Sequence, residues 1–173
     1  MNSIFRTILF ITSFLFSQNL LEVGMKAPEW EFPDADGNFH SMNNWSGKIL
    51  QVNYVDPDES DLNEEFNDRV KYALDVDSLI FRDSFKGIGI ADCASSWKPD
   101  FLIRAIGGRK AKKYETTVLF DFDADLRKSW TLEEDSYNVV ILDKDRIVQG
   151  LYKGRMSEAE MDEALQIIIN LQN

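Results

Sequence analysis

The chain has 173 residues, 44% of them hydrophobic, with a formal net charge of −11 at neutral pH and a single cysteine. This size suits one domain with a substantial core and leaves too little chain for a comfortable second domain. The negative charge argues against nucleic acid and anionic lipid as partners, because both repel an acidic domain. The single cysteine, Cys93, excludes an intramolecular disulfide.

The N-terminal segment differs in composition from the rest of the chain. One early cation, Arg6, precedes the apolar run 8–16, and small or polar residues follow. This arrangement predicts a secretory signal peptide over 1–17, a linker over 18–24 and one domain over 25–173. The residue three places before the predicted cleavage site is not small, so an uncleaved anchor is the alternative. After signal removal we expect a periplasmic or secreted protein without stable membrane insertion.

Turn chemistry and apolar runs predict a β-hairpin and five further strands. Residues 30–32 and 39–42 flank the turn sequence DADGN (34–38), in which Asp, Asn and Gly tolerate left-handed backbone. The later strands are predicted from runs rich in β-branched, aromatic and apolar residues. These runs cover 48–55, 85–91, 115–122, 138–142 and 147–152.

Three segments predict helices, over 61–80, over 100–106 and from residue 157 onward. The first has apolar residues at helical spacing and charged residues on the opposite face. The second is expected to end at Gly107-Gly108, because glycine is a poor helix former and a common helix terminator. The last opens with a capping box formed by Ser157 and Glu160.

The order of elements predicts the fold class. A β-α-β-α-β segment with right-handed crossovers gives parallel strands, and the late hairpin adds antiparallel strands to the same sheet. Helices must cover both faces of such a sheet. We therefore predict a thioredoxin-like three-layer α/β/α sandwich with a mixed central sheet and an N-terminal β-hairpin extension.

Three stretches resemble the YtfJ family, which comprises exported bacterial proteins of thioredoxin-like fold. They are GKILQVNYV (47–55), DADLRKSWTLEEDSYNVVILDKD (123–145) and MSEAEMDEALQII (156–168). The first stretch is also similar to peroxiredoxins and to the thioredoxin-like proteins of cytochrome c maturation. The resemblance implies a fold and an exported location but no activity, and no catalytic residue carries over. One departure is Arg146, which stands where relatives place Gly, so the type of the last turn is open.

In thioredoxin-like enzymes a CxxC motif follows the first central strand, where a helix N-terminus lowers the thiol pKa. By analogy that motif would fall within 58–62, with Glu59 and Leu62 near the positions of the two sulfurs. Neither side chain can exchange disulfides. Ser136 and Tyr137 occupy the loop where this fold places a cis-proline. We therefore predict a vestigial active-site loop that lacks CxxC and cis-Pro and comprises Asp56, Asp58, Glu59, Ser60, Asp61 and Tyr137.

Two groups of carboxylates resemble cation ligands. The first comprises Asp56, Asp58, Glu59, Asp61, Glu64 and Glu65, and the second Asp121, Asp123 and Asp125. A calcium loop needs Gly at its sixth position and Glu at its twelfth. The first group has Asp61 and Asn67 there, and the second has two leucines. We therefore predict acids favoured by a helix N-terminus and a turn after a strand, with no metal site and no cofactor.

Cys93 follows a predicted parallel strand, at the sheet edge where ligands of α/β proteins collect. A reactive thiol needs a cationic or helix N-terminal neighbour, and the adjacent Asp92 works against that. We predict a buried thiol that reacts slowly. His40, in the entry hairpin, is predicted to lie on the surface away from any nucleophile.

The remaining motifs predict structural roles. The four tryptophans, Trp30, Trp45, Trp97 and Trp130, are expected to pack the domain or its rim. The basic cluster Arg109, Lys110, Lys112 and Lys113 is expected to be a solvated loop, since the acidic chain does not suit nucleic acid.

The favoured function is a non-redox binding module with a protein partner in the cell envelope. Two alternatives belong to other classes: a single-cysteine thiol oxidoreductase or peroxidase-like enzyme that uses Cys93, and a metal- or ligand-binding domain built on the acidic loop. The pKa of the thiol separates the first alternative from the favoured function, because a catalytic cysteine titrates well below the roughly 8.5 of a free one.

Overall fold

A computed structural model describes residues 20–172 of the chain. The predicted signal peptide, residues 1–17, lies outside the described residues, as does Asn173.

The described residues form seven strands, four α-helices and one short 3-10 helix. The strands are β1 (Glu31–Pro33), β2 (Phe39–Ser41), β3 (Ile49–Val55), β4 (Phe85–Asp92), β5 (Thr117–Asp121), β6 (Tyr137–Leu142) and β7 (Val148–Lys153). The helices are α1 (Glu64–Asp75), α2 (Asp100–Tyr114), α3 (Asp125–Trp130) and α4 (Glu158–Asn170), and the 3-10 helix covers Met42–Trp45.

Five strands form one mixed sheet in the order β5-β4-β3-β6-β7. Strands β3, β4 and β5 run parallel, and β6 pairs antiparallel with both β3 and β7. Strands β1 and β2 form a separate antiparallel hairpin. The predicted mixed sheet and entry hairpin are confirmed, and the strand boundaries agree within two residues.

The period-two alternation of β3 divides the core into two layers. Leu50, Val52 and Tyr54 face a cluster that includes Trp30 of the entry segment and Trp130 of α3. The opposite face packs against α1 and α4. The residues there include Ile49, Phe66, Val70, Met161, Ala164 and Ile168. Both faces of the sheet are therefore covered, as the three-layer prediction requires.

Helix α2 is longer than predicted. It continues through Gly107-Gly108 to Tyr114, and the predicted stop at the glycines is wrong. A Cβ atom on Gly107 would lie 3.0 Å from Val118 Cγ1 and 3.2 Å from Phe120 Cζ. The glycine thus lets the helix approach β5 closely, and this packing outweighs the cost of about 1 kcal/mol for glycine in a helix.

The basic cluster lies on this helix, so the prediction of a loop is also wrong. Lys110 Nζ contacts Asp61 at 2.6 Å, and Lys113 Nζ contacts Glu64 of α1 at 2.7 Å. Lysines that were predicted to be solvated therefore form ion pairs with acids of α1 and of the loop before it.

The three alternating aspartates, Asp121 at the end of β5 and Asp123 and Asp125 after it, lead into a helix that was not predicted. The Asp121 carboxylate accepts hydrogen bonds from the backbone N–H groups of Asp123, Asp125 and Leu126, at 3.3, 3.0 and 2.9 Å. It thereby satisfies the first free amides of α3. A turn is present after the strand as predicted, and the same carboxylate converts that turn into a helix start.

Two features at the ends of the core could not be predicted. In the predicted linker, Leu21 is buried in the core, and the Gly24 N–H donates to Val148 O at 2.8 Å, so residues 20–24 pack on the domain. In the last turn, Arg146 has a φ of 68°. Arg146 thus adopts the left-handed conformation that glycine favours, so the last turn keeps the backbone of a glycine-containing turn.

Candidate functional site

The loop predicted to be a vestigial active site connects β3 to α1. Asp56 is buried, and its N–H donates to Ser136 O at 2.9 Å. Its Oδ1 accepts the N–H of Asp58 at 2.7 Å, and its carbonyl accepts the N–H of Glu59 at 2.9 Å. Asp56 therefore fixes the loop in a tight turn.

Helix α1 begins only at Glu64, so the predicted loop residues precede the helix. Its N-cap, Asn63, makes no side-chain capping bond. The Asn63 side chain instead donates to Gly154 O at 2.8 Å and accepts the Met156 N–H at 2.9 Å. The helix was predicted to start near 61 and to reach 80; it ends at Asp75. The positions of a CxxC motif thus lie outside the helix here, in a stretch without thiols.

The outer acids of the loop pair with cations from the segments after β4. Asp58 forms an ion pair with Lys98 and accepts a hydrogen bond from Ser96 Oγ at 2.9 Å. Asp61 pairs with Lys110 of α2. Glu59 and Ser60 are half-buried. The acidic loop is therefore largely neutralised by the chain itself, which leaves few free carboxylates for a cation.

The surroundings of Asp56, which is buried at the end of β3, disfavour its ionised form. Burial, together with the neighbouring Asp135 and Asp92, raises the pKa of Asp56 to about 6, although Lys98 acts in the opposite direction. Asp56 thus releases its proton only near neutral pH. Among residues 20–172, no cluster of three or more His, Cys, Asp or Glu side chains has a geometry that could hold a metal ion.

Cys93 follows β4 directly, as predicted. Its N–H donates to Asp121 O at 2.9 Å, and its Sγ lies 3.5 Å from Ala91 O. The residue is half-buried, so the expectation of full burial is wrong. Burial raises the pKa of the thiol to about 12, with further contributions from Asp100 and the strand-end aspartates, and Arg104 opposes them. The thiolate is therefore scarce at neutral pH.

Tyr137 lies at the same end of the sheet as Cys93, two strands away. It opens β6 in register with Val55 of β3, and Val55 pairs with Ala91 of β4, the strand that Cys93 follows. Its hydroxyl accepts a hydrogen bond from Asn67 Nδ2 of α1 at 2.8 Å. Burial raises the pKa of this hydroxyl above its ordinary value. The side chain belongs to the layer between the sheet and α1.

A buried polar cluster on the opposite face was missed by the sequence analysis. Asp92 accepts from Ser95 Oγ at 2.7 Å and lies 3.2 Å from Arg127 Nε. Tyr54 donates its hydroxyl proton to Asp121 Oδ2 at 3.0 Å. Both aspartates end neighbouring parallel strands and pair in register, and this pattern could have indicated the cluster. These contacts hold the ends of β4 and β5 in place immediately before Cys93.

The histidine and tryptophans lie away from this edge, with one exception. His40 Nε2 contacts Asp34 Oδ2 at 2.9 Å, and its ring stacks on Trp45. This contact lowers the pKa of Asp34 to about 2. Trp30, Trp45 and Trp130 pack in or against the core as predicted. Trp97 is 81% exposed beside the Asp58–Lys98 pair, so its predicted packing role is wrong.

Within the part of the chain that the structure describes, no helix is both long enough and apolar enough to cross a bilayer.

Comparisons with known proteins identify the fold. No family model and no curated protein matches the sequence. Among solved structures, the thioredoxin domain of a thiol-disulfide oxidoreductase from Bacteroides vulgatus is 16% identical, with a TM-score of 0.61 and coverage of 86% of this chain and 99% of that one. A 2-Cys peroxiredoxin from Plasmodium vivax is 19% identical, with a TM-score of 0.59 and coverage of 87% and 96%.

A candidate thiol:disulfide interchange protein DsbE from Chlorobium tepidum is 15% identical, with a TM-score of 0.58 and coverage of 88% of this chain and 99% of that one. At these identities the matches show the fold alone. The chain has a thioredoxin-like fold, as predicted, with its one cysteine away from the loop where this fold places a CxxC motif.

Proposed function

We propose that the protein is a thioredoxin-fold binding module without thiol chemistry. The supporting observation is the environment of Cys93, where burial and three aspartates raise the thiol pKa to about 12. A peroxidatic or exchanging cysteine needs the reverse, a thiolate held near neutral pH by cations or a helix N-terminus. The loop 58–62 also supplies no second thiol for an exchange reaction.

The proposed setting is the bacterial cell envelope, with a protein as the partner. The signal-like N-terminus and the three stretches that resemble the YtfJ family support export. The sheet edge beside the vestigial loop exposes Trp97 and Phe101, which are 81% and 68% exposed. Exposed aromatic residues are a common feature of protein interfaces. We assign this edge as the binding surface of the module.

A pair of turnover assays tests the absence of thiol chemistry. Purified protein should not accelerate the reduction of insulin disulfides by dithiothreitol, and should not consume hydroperoxide in the presence of a thiol reductant. Cys93→Ser is the matched control and should give the same background rates. Turnover by the wild type that Cys93→Ser abolishes would instead support a single-cysteine enzyme.

A capture experiment tests the binding surface. Tagged protein with Trp97→Ser and Phe101→Ser should lose a cross-linked envelope protein that the wild type captures, as identified by mass spectrometry. Phe39→Ser is the control, because Phe39 is 65% exposed on the entry hairpin rather than at this edge. Equal capture by all three proteins would rule out the edge as the interface.

A further inference from the structure

A second feature, separate from the exposed aromatic edge, is a half-open cleft of about 310 Å³ between the sheet and the helices α1 and α2. Small-ligand sites occupy roughly 300–1,000 Å³, so this volume is at the lower end of that range. Gly87 and Gly89 form the floor of the cleft, in register with Gln51 and Asn53 of β3. A Cβ atom on Gly87 would have only ordinary contacts, the nearest being Thr116 Oγ1 at 3.8 Å. The floor is therefore open because β4 has no side chains on this face.

The charges around the cleft do not select a charged ligand. Lys86 pairs with Leu50 and alternates with Gly87 along β4, so its side chain leaves the sheet on the opposite face. Within residues 20–172 the other cationic side chains of the rim form ion pairs or bond to the backbone. They are Lys71 and Arg82, which contact Asp75 and Glu115, Lys110, which contacts Asp61 and Glu64, and Lys48, which donates to Arg82 O. The cleft thus suits an uncharged molecule.

One wall of the cleft is a network of buried amides. Gln51 Nε2 donates to Asn67 Oδ1 at 2.9 Å and to Asn53 Oδ1 at 3.1 Å. Asn67 Nδ2 in turn donates to the Tyr137 hydroxyl oxygen at 2.8 Å. Gln51 and Tyr137 therefore already hold the two polar atoms of one amide group, that of Asn67, and their spacing matches an amide edge.

Two hydrogen-bonding positions of this network are unused among residues 20–172. Gln51 Oε1 receives no hydrogen bond, and the Tyr137 hydroxyl accepts one but donates none. Both residues line the cleft, and they are only 2% and 4% exposed. The described side-chain atoms that are both sealed from solvent and without a partner belong to Trp30, Asp92 and Arg127, so Gln51 Oε1 opens on the cleft. One acceptor and one donor thus remain available to a ligand.

The position of these two groups on one wall selects the form of amide that can bridge them. In an open-chain secondary amide the C=O and the N–H point in opposite directions, because the bond is trans. In a lactam ring the bond is cis, and both groups point the same way. A lactam can therefore accept from the Tyr137 hydroxyl and donate to Gln51 Oε1 at the same time.

The rest of the cleft suits a flat apolar body. Val70 and Leu74 of α1 and Ile103 and Ile106 of α2 line the side opposite the floor. The floor itself presents the main chain of β4 without side chains, so a planar ring can lie directly on it. A mostly apolar lining with a few polar groups that fix orientation is typical of small-molecule sites.

From these contacts we propose that the cleft binds an uncharged, flat ring system with a lactam edge. The lactam bonds to Gln51 and Tyr137, the ring lies on Gly87 and Gly89, and the apolar side chains of α1 and α2 cover it. This inference does not depend on the state of Cys93 or on the exposed aromatic edge.

Titration of the purified protein with 2-quinolinone, two fused rings with one lactam edge, tests the proposal by calorimetry and by amide NMR. We expect saturable binding with shifts at Gly87, at Gly89 and at the side-chain amide of Gln51. N-methyl-2-quinolinone lacks the N–H and should bind about tenfold more weakly, which corresponds to about 1.4 kcal/mol. Acetanilide, an open-chain trans amide of similar size, should also bind about tenfold more weakly.

Variants of the protein test the wall and the floor separately. Tyr137→Phe removes the hydroxyl donor and keeps the ring, so it should weaken 2-quinolinone binding about fivefold. Tyr152→Phe is the matched control, since Tyr152 is also a buried tyrosine but does not line the cleft. Gly87→Val should fill the floor and abolish binding, whereas Gly108→Ala should not change it. Gly87→Ala adds a methyl group with only ordinary contacts, and its weaker binding decides the case if Gly87→Val does not fold.

Absence of saturable 2-quinolinone binding would show that the cleft holds only water and would overturn the proposal. The same conclusion would follow from equal affinity for N-methyl-2-quinolinone or for acetanilide, because the lactam edge would then not be recognised. Equal losses in Tyr137→Phe and Tyr152→Phe, unchanged binding in folded Gly87→Val or Gly87→Ala, or NMR shifts confined to residues outside the cleft would place the ligand elsewhere.

Discussion

Single residues set the local electrostatics of the loop between β3 and α1, and Asp56 shows this most clearly. It is 4% exposed, and its pKa is raised to about 6 from an unperturbed 3.8. Asp56 ionises at a lower pH in the unfolded chain than in the folded protein. Asp56 therefore lowers the free energy of unfolding progressively as pH rises from about 4 to 6, and the full loss persists above pH 6.

Asp56→Asn is expected to stabilise the protein above pH 6 by about 3 kcal/mol, because Asn keeps the turn hydrogen bond and removes the buried charge. The gain should fall to zero below about pH 4, where Asp56 is protonated in both states. Chemical denaturation across this pH range measures the effect. Asp77→Asn, on an exposed residue, is the control. A pH-independent gain would show that charge at position 56 is not the cause.

Arg146 combines an unfavourable backbone conformation with a buried guanidinium. It has a φ of 68°, and its side chain donates to Lys48 O at 2.7 Å, to Met42 O at 3.0 Å and to Trp45 O at 2.6 Å. The side chain therefore joins the last hairpin to the 3-10 helix. These bonds offset the cost of the left-handed conformation in a residue other than glycine.

Arg146→Ala should lower the free energy of unfolding by about 2–4 kcal/mol, because it leaves buried carbonyls without donors and keeps the backbone cost. Arg146→Gly should lower it by about 1 kcal/mol less, since glycine adopts positive φ freely. Urea denaturation of both variants measures the difference. Equal stabilities would show that the backbone conformation at 146 carries no cost.

Among the elements, the strands and the last helix could be predicted from sequence, because their signals are local. The run ILQVNYV forms β3, and Ser157 and Glu160 form the predicted capping box of α4. Helices α2 and α3 could not be predicted correctly. The length of α2 depends on the contact of Gly107 with β5, and α3 depends on Asp121 as a capping group, so both need the tertiary structure.

The two adjacent glycines of α2 should respond to alanine in opposite directions. Gly107→Ala places a methyl group 3.0 Å from Val118 Cγ1 and should destabilise the protein by about 1–3 kcal/mol. Gly108 has no atom within 4 Å of its Cβ position, so Gly108→Ala should stabilise it by about 0.5–1 kcal/mol. Thermal melts compare the two. Stabilisation by both changes would contradict the close packing of α2 on β5.

At the scale of the whole molecule, the mixed sheet and the three layers follow from the β-α-β pattern and were predicted from it. The site was predicted only in part. Cys93 was correctly placed after a parallel strand, whereas the direction of the Tyr137 side chain, into the layer beneath α1, was not predicted. Which strand-end residues meet depends on which face each side chain takes, and adjacent residues on a strand take opposite faces.

Export is the whole-molecule property that the N-terminal sequence predicts. Protein recovered from the envelope fraction should have the mass of a chain that lacks residues 1–17, because the short apolar run after Arg6 is typical of a cleaved signal. Intact-mass spectrometry measures this directly. A soluble product that retains Met1 would contradict cleavage, and a membrane-bound intact chain would favour the uncleaved anchor.

The proposed absence of thiol chemistry depends on the acidity of Cys93, and the pH dependence of its alkylation measures that acidity. The midpoint of a rate profile with iodoacetamide reports the thiol pKa independently of how far burial slows the reagent. For the native protein we expect a rate that still rises beyond pH 10, consistent with a pKa raised to about 12, and a midpoint near 8.5 in the unfolded chain. Asp100→Asn should lower the native midpoint. A native midpoint below about 8.5, with faster alkylation than in the unfolded chain, would contradict the account and identify Cys93 as a reactive nucleophile.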